Sequence, residues 1–393
     1  MPRSLTTALA VIACATALAA GLASCSPSPA APPAAPPATP PATAALPPDV
    51  VARIDQLAGS ALTGGITGAV VSVSDPARGT LLKAYGTADT AGTPMTADMH
   101  YRIASVTKTF TAQAVLELVG EGRLSLDAPL AQFVPDVPNA PAITVRDLLA
   151  MRGGVYDFTD DPGFDARYAA DPTLPGWSVA DVLAIIRANP DKAKPPNTAT
   201  VYSNSEYVLL GQVIEKVTGR PAAAVLDETA AGLGLTSTTW PAGNELPAPF
   251  SRGYISTGDG QTPPPYRDGT LSNPLVPDTA GALVSTVADM TRYAPLLATG
   301  AGLAPAVAAQ RQTWGPLTTS GPRLQYGLGI TQLGDWVGHD GSIVGYSDMV
   351  FYLPAQRATV VVMVNAADGA AVPSQALWGE IVKVLYPGSL PSW

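Results

Sequence analysis

Residues 104–110 read Ala-Ser-Val-Thr-Lys-Thr-Phe (ASVTKTF) and place Ser105 three residues before Lys108. The serine opens a run to Val119 that is apolar on almost every side, which is typical of a buried helix. On a helix this spacing puts both side chains on one face, a turn apart. The free N–H groups of the helix start would stabilise an oxyanion. Apolar neighbours such as Phe110 would lower the pKa of the lysine and make its amine available as a base.

The same spacing also has an ordinary structural interpretation. Ser105 could cap the helix, and Lys108 could lay its stem along apolar surface with its amine in water. A Ser-x-x-Lys motif is short enough to arise by chance, so it is a weak signal by itself. The choice between the two interpretations depends on the rest of the chain.

Two further stretches supply polar groups at the ends of predicted elements. The sequence VYSNSE (201–206) brings Tyr202 and Asn204 to the start of a helix predicted over 203–219. The sequence GHDGS (338–342) lies on a C-terminal strand. It contains His339, Asp340, Gly341 and Ser342.

The sequence lacks the residues that several other kinds of functional site require. The chain has two histidines, His100 and His339, and two cysteines, Cys14 and Cys25. These do not make a zinc site at a recognised spacing, and we expect no metal and no cofactor. A Gly-x-Ser-x-Gly elbow and a Walker-type loop are both missing from the sequence. A formal net charge of −9 and a pI near 4.7 argue against nucleic acid as a partner.

The three stretches, in this order, resemble the serine β-lactamase and penicillin-recognising hydrolase superfamily. Within it they are most similar to the Tyr-x-Asn branch, which includes class C β-lactamases, soluble D-Ala-D-Ala carboxypeptidases and β-lactamase-like esterases. The sequences YRIASVTKTFTA (101–112), YGLGI (326–330) and, less closely, ITVRDLLAMRGG (143–154) are also family-like. The resemblance covers roughly residues 50–388.

The resemblance implies a role for each matching residue. Ser105 would be the nucleophile that forms an acyl-enzyme. Lys108 would take its proton, or would hold the charge that depresses the pKa of Tyr202, and the sequence leaves these alternatives open. Tyr202 would protonate the leaving group and activate water for deacylation. Asn204 would bind the acyl-side amide, and the N–H groups of Ser105 and Ser342 would form the oxyanion hole.

The third motif departs from the family pattern. Relatives usually have Lys-Thr-Gly or His-Thr-Gly, and this chain has His339-Asp340-Gly341. Asp340 would repel the carboxylate of a β-lactam or a terminal D-alanine, and His339 is mostly neutral at pH 7. Both changes favour a neutral or amine-bearing substrate. Alternatively, Asp340 points away or pairs with a nearby arginine such as Arg323. Gly341 would let the substrate lie close to the strand because it lacks a side chain.

The predicted elements indicate an α/β (α+β) fold. A helix over 48–62 and a hairpin over 67–74 and 80–85 open the domain, and loops fill 241–281. We expect one antiparallel sheet flanked by helices and closed by the two chain ends, with a mainly helical lobe inserted over about 121–270. The late elements are strands over 326–333, 336–338, 349–353 and 359–365 and a helix over 373–385.

The N-terminus has the pattern of an export signal. An apolar run from Leu5 to Leu22 ends in Leu-Ala-Ser-Cys, which resembles the lipobox of bacterial lipoproteins. We expect a signal peptide over 1–24, lipidation of Cys25, a Pro/Ala-rich tether over 25–48 and the hydrolase domain over 49–393. The alternative is an ordinary signal peptide with a cysteine nearby.

Together these features predict an exported serine hydrolase, lipid-anchored to the outer face of the cell membrane. Its substrate would be a cell-wall peptide or a related small amide or ester, handled in the manner of a D-Ala-D-Ala carboxypeptidase. The alternatives are a β-lactamase-like esterase, a D-aminopeptidase, a weak β-lactamase, a catalytically inactive penicillin-binding-like lipoprotein and a solute-binding lipoprotein.

Overall fold

The structure is a computed structural model that describes residues 44–256, 266–318, 324–367 and 372–391. The predicted signal peptide, Cys25, most of the tether and Arg323 lie outside these residues. Among the described residues, no helix is both long and apolar enough to span a membrane.

The helices of the described residues are numbered in chain order. They are α1 (Pro48–Thr63), α2 (Thr107–Gly120), α3 (Val145–Leu149), α4 (Pro162–Ala170), α5 (Val179–Ala188), α6 (Asn204–Thr218), α7 (Ala222–Gly232), α8 (Val287–Thr299), α9 (Pro305–Arg311) and α10 (Pro373–Leu385).

The strands are numbered in the same way. They are β1 (Gly68–Asp75), β2 (Gly79–Gly86), β3 (His100–Arg102), β4 (Tyr254–Ser256), β5 (Tyr266–Asp268), β6 (Val284–Thr286), β7 (Gly315–Pro316), β8 (Leu324–Tyr326), β9 (Thr331–Leu333), β10 (Trp336–Ile343), β11 (Tyr346–Leu353) and β12 (Ala358–Val364).

Eight of the described strands form one antiparallel sheet in the order β2-β1-β12-β11-β10-β9-β8-β7. The hairpin β1–β2 from the start of the domain therefore pairs with β12 near its end, and Ala69 lies opposite Val364. The predicted closure of one sheet by both chain ends is confirmed. The buried Asn365 reinforces this junction, because its side-chain oxygen accepts hydrogen bonds from the Thr67 hydroxyl and the Gly68 N–H.

Helices cover both faces of the sheet. On one face α1 and α10 pack on the strands, with Ile54, Trp336 and Trp378 fully buried in their shared apolar cluster. On the other face α8 packs across β1, β11 and β12 and joins a larger cluster that extends into the helices between β3 and β6. The helix α2 lies in that larger cluster, and nearly all its side chains are buried, as the apolar run predicts.

Several predicted elements have different bounds in the structure. The strand predicted over 326–333 is two strands, β8 and β9, because the chain turns at Gly329, where φ is +70°. The strand predicted over 336–338 continues to Ile343, since the motif residues also pair with β11. The segment predicted as loops over 241–281 contains the paired strands β4 and β5.

The folded contacts begin before the predicted domain boundary at residue 49. The Leu46 N–H donates to the Thr80 carbonyl at 3.0 Å, and the Thr80 N–H donates to the Ala44 carbonyl at 2.8 Å. The Leu46 side chain is buried against the sheet. The last residues of the predicted tether are therefore part of the domain.

Candidate active site

Ser105 lies in a tight turn between β3 and α2. A single 3₁₀ turn, Ala104–Val106, follows the strand, and the α-helix begins at Thr107. Ser105 thus precedes the regular helix by one short turn rather than starting it. Ala104 has a φ of +47°, a conformation that is unfavourable for a residue with a side chain. Such strain persists only where the surrounding structure holds the turn.

The Lys108 amine is at the centre of the site. Its side chain is fully buried, and Nζ donates to Ser105 Oγ at 3.0 Å, Asn204 Oδ1 at 2.8 Å and the Ala280 carbonyl at 2.8 Å. An ammonium group has three donors, so all three are used. The contact predicted from the spacing of Ser105 and Lys108 is present.

Burial changes the protonation of Lys108. It lowers the pKa of this amine from its ordinary 10.5 to about 7, although the carboxylates of Asp157 and Asp340 act in the opposite direction. At neutral pH a substantial fraction of Lys108 is therefore the free amine, which can accept a proton.

Tyr202 lies over the same amine. Its ring centroid is 4.9 Å from Lys108 Nζ. Burial raises the pKa of the Tyr202 hydroxyl well above its ordinary 10, while a hydrogen bond with Ser105 acts in the opposite direction. Burial therefore favours the protonated form of the Tyr202 hydroxyl in the free protein.

Asn204 is the first residue of α6, as the helix signal predicts. The carboxylate of Asp157 caps this helix: one oxygen accepts from the Asn204 N–H at 2.9 Å and from Asn204 Nδ2 at 3.0 Å. Its other oxygen accepts from the Thr159 N–H. These bonds fix the amide so that its oxygen faces Lys108.

The two polar residues of the third motif have different surroundings on β10. His339 is buried, its Nε2 lies 3.4 Å from the Tyr326 hydroxyl, and burial lowers its pKa. This ring is therefore neutral and enclosed by the protein. The Asp340 side chain is 45% exposed, and its charge raises the pKa of both Lys108 and Tyr202. Asp340 thus lies close to the reactive groups and is open to solvent.

Gly341 lies against the turn that carries the nucleophile. A Cβ at this position would lie 2.5 Å from the Ile103 carbonyl and 3.2 Å from the Ala104 Cβ. The absent side chain therefore makes room for the turn that carries Ser105. The close approach of β10 to this turn puts Ser105 and Ser342, the expected oxyanion-hole residues, on the wall of one cavity.

That cavity has a volume of about 470 Å³ and begins at Ser105. Asn204, Thr159 and Ser342 supply polar groups beside the serine, and Asp165 and Arg267 contribute charges. Most of the remaining wall is apolar. It includes Phe158, Phe164, Tyr168, Val276, Ile343 and Val344.

The sequence analysis missed three contributors to the site: Asp157, Thr159 and the Ala280 carbonyl. Asp157 belongs to a stretch that also contains Asp160, Asp161 and Asp165, and nothing in the sequence distinguishes the capping carboxylate from the others. The Ala280 carbonyl is a backbone group without a sequence signal. In the described part of the chain, no cluster of three or more His, Cys, Asp or Glu side chains could hold a metal ion.

Comparison with known proteins identifies the family. The model of the Beta-lactamase family matches residues 50–380, so the chain belongs to this family of serine hydrolases. The predicted superfamily and fold class are thus confirmed.

The names of individual relatives indicate different activities. Esterase EstB of Burkholderia gladioli is 31% identical over 233 residues, which cover 56% of this chain and 55% of EstB. The chain therefore spans about half the length of that relative. Penicillin-binding protein 4 of Amycolatopsis lactamdurans is 26% identical over 75% of this chain and 81% of its own length. The structure of a D-stereospecific amidohydrolase from a Streptomyces species is similar with a TM-score of 0.75 and 28% identity, covering 86% of this chain and 98% of that protein.

Replacing Gly341 by alanine tests the contact between β10 and the nucleophile turn. The added methyl group would push the Ile103 carbonyl away and displace Ser105. Because misplacement of about 1 Å can cost roughly 100-fold in rate, we expect labelling of Ser105 by a fluorophosphonate to slow by that order. The rate of labelling measures this effect.

The matched control is Gly379→Ala on α10, where a Cβ would meet nothing within 4 Å. This variant should label at the wild-type rate. Wild-type labelling of folded Gly341→Ala would contradict the role assigned to the contact.

Proposed function

We propose that the chain is an exported, lipid-anchored serine hydrolase that transfers the acyl group of an ester or amide to Ser105 and then to water. The observation that carries this proposal is the buried Lys108 amine, which is 3.0 Å from Ser105 Oγ and has a pKa of about 7. Its free-amine form can accept the hydroxyl proton as Oγ attacks the substrate carbonyl carbon.

The remaining steps follow from the protonation of the two groups. The N–H groups of Ser105 and Ser342 stabilise the negative oxygen of the tetrahedral intermediate. Tyr202, which stays protonated, donates its proton to the leaving group, and the Lys108 ammonium returns the proton taken from Ser105 to the tyrosine. Water then attacks the acyl carbon, and Lys108 accepts a proton from the water. The bond between the acyl carbon and Ser105 Oγ breaks, the Lys108 ammonium returns this proton to Oγ, and the carboxylic acid product leaves.

The surroundings of Ser105 favour a particular kind of substrate. The leaving group must lie near Tyr202, where Asp340 would repel a carboxylate. The acyl group then extends into the apolar cavity walled by Phe158 and Phe164. We therefore favour an ester or amide that has an apolar acyl group and a neutral or cationic leaving group. The similarity to a D-stereospecific amidohydrolase supports an amide substrate. D-Ala-D-Ala peptides and β-lactams fit less well, because both have a carboxylate.

The first test is the pH dependence of acylation. If the free amine of Lys108 is the base, labelling of Ser105 by an uncharged fluorophosphonate should rise with pH, half-maximally near pH 7. The rise should be about tenfold per pH unit below that point. Ser105→Ala should abolish labelling, and Lys108→Met should lower its rate at least roughly 100-fold. A wild-type rate that is constant between pH 5 and pH 9 would exclude Lys108 as the base.

The second test separates the substrate classes. Wild-type protein and Asp340→Thr would be assayed on a p-nitrophenyl ester, D- and L-phenylalanine amide, acyl-D-Ala-D-Ala and nitrocefin. Loss of one partly exposed negative charge should raise kcat/KM about five- to tenfold more on the two carboxylate-bearing substrates than on the others, because the lost effect of Asp340 on the pKa of Lys108 is common to all of them. Asp340→Asn also removes the charge but keeps the size of the side chain, so it should give the same result as Asp340→Thr if the charge is the cause. Equal effects on every substrate would contradict the repulsion.

The third test concerns the anchor. The apolar run, the Leu-Ala-Ser-Cys sequence and the tether support export and lipidation of Cys25. Cys25→Ala should move the protein from the membrane fraction to the soluble exported fraction, measured by fractionation and immunoblotting. Cys14→Ala, a replacement within the predicted signal peptide, should stay membrane-bound. Membrane retention of Cys25→Ala would count against lipidation at this residue.

A further inference from the structure

Asp278 is a buried carboxyl residue beside the site that the proposed mechanism does not use. It begins a 3₁₀ turn, Asp278–Ala280, and has a φ of +44°. Its Oδ1 accepts from the Thr279 N–H at 2.7 Å and lies 3.1 Å from the Thr279 hydroxyl oxygen. A left-handed conformation is costly for most residues, but aspartate tolerates it because its short side chain bonds the local backbone. Strained backbone of this kind is common at functional sites, so the contacts of the turn matter.

The turn makes hydrogen bonds to α2, which contains Lys108, and to α6, which begins at Asn204. The Thr279 hydroxyl donates to the Tyr207 carbonyl on α6 at 2.8 Å, and the Thr279 carbonyl accepts from the Thr111 hydroxyl on α2 at 2.6 Å. The next carbonyl, of Ala280, accepts from Lys108 Nζ. One short turn therefore sets the position of an acceptor for the buried amine.

We infer that Asp278 is a positioning residue for Lys108: its carboxylate holds the 278–280 turn in the conformation that aims the Ala280 carbonyl at Nζ. The inference extends the proposed function, in which Lys108 is the base. A carbonyl that accepts from Nζ favours the ammonium form, so it limits how far burial can lower the pKa of the lysine. Without it Lys108 would bind protons less readily and would be held less firmly beside Ser105.

Other groups around Lys108 also influence its pKa. Asp157 and Asp340 raise the pKa of the amine by their charge. His339 is buried and neutral, and Tyr202 stays protonated. The Asp278 carboxyl is itself 8% exposed, and burial, together with the charge of Glu215, raises its pKa to about 6. The charges that act on the pKa of Lys108 are those of Asp157 and Asp340, so we expect Asp278 to act through the geometry of the turn.

Two replacements test whether the Asp278 carboxylate affects Lys108 or only stabilises its own turn. Asp278→Gly removes the acceptor, and glycine adopts the positive φ freely. Asp278→Asn keeps an acceptor oxygen, tolerates the same conformation and lacks the charge. In protein labelled with ¹³C at the lysine ε-carbons, NMR titration would follow Lys108, assigned by the loss of its signal in Lys108→Met. The labelling rate of Ser105 by a fluorophosphonate would be measured in parallel.

We expect Asp278→Gly to lower the titration midpoint of Lys108 from about 7 by roughly half a pH unit or more, because one acceptor of the ammonium is lost or weakened. Labelling should slow about tenfold. Asp278→Asn should match the wild type in both measurements. If Asp278→Gly does not fold, Thr279→Ala provides the second variant. It removes the hydroxyl that bonds α6 and should shift the midpoint in the same direction.

The matched control is Asn139→Gly, the same kind of replacement at a residue with a φ of +61° whose side chain bonds the Lys194 carbonyl. It should change neither measurement. An unchanged midpoint in Asp278→Gly, or in Thr279→Ala if that variant is needed, would overturn the inference. An equal shift in Asp278→Asn would also overturn it, by assigning the effect to charge. If the wild type titrates as expected but is never labelled at Ser105, the proposed function fails while the positioning role stands.

Discussion

The structure around the site depends on the burial of one amine. Lys108 has no contact with solvent, so each of its protons needs an acceptor within the protein. The three acceptors come from three separate segments: the turn at Ser105, the start of α6 and the turn at Ala280. Satisfying this single group therefore requires the sheet-side turn, the helical lobe and the connection after β5 to meet at one point.

This requirement explains features that would otherwise be unrelated. Ala104 and Asp278 both have positive φ, and each lies in a turn that places an oxygen within hydrogen-bonding distance of Nζ. Gly341 has no side chain because β10 lies against the Ser105 turn. The same burial that demands these contacts lowers the pKa of Lys108 and raises that of Tyr202. The protein thus places a base, the Lys108 amine, 4.9 Å from the ring centroid of the proposed proton donor, Tyr202.

The sequence predicted the parts of the site that have local periodicity. Ser105 and Lys108 lie one turn apart where the chain enters a helix, and Asn204 begins another helix, so spacing was sufficient to place them. Asp157 could not be found in this way, because its contact with Asn204 joins residues 47 positions apart and three other aspartates lie nearby. The two-strand division at Gly329 was also missed, since an apolar run does not reveal a backbone turn.

By itself, the sequence determined the order of the three motifs, the buried helix α2 and the closure of the sheet by both chain ends, because each depends on short-range pattern and strand propensity. Only the tertiary structure decided which protonation state each reactive group has, why residue 341 is glycine and where the charge of Asp340 lies. These properties depend on burial and on distances between segments remote in the chain, and neither is encoded in the spacing of neighbouring residues.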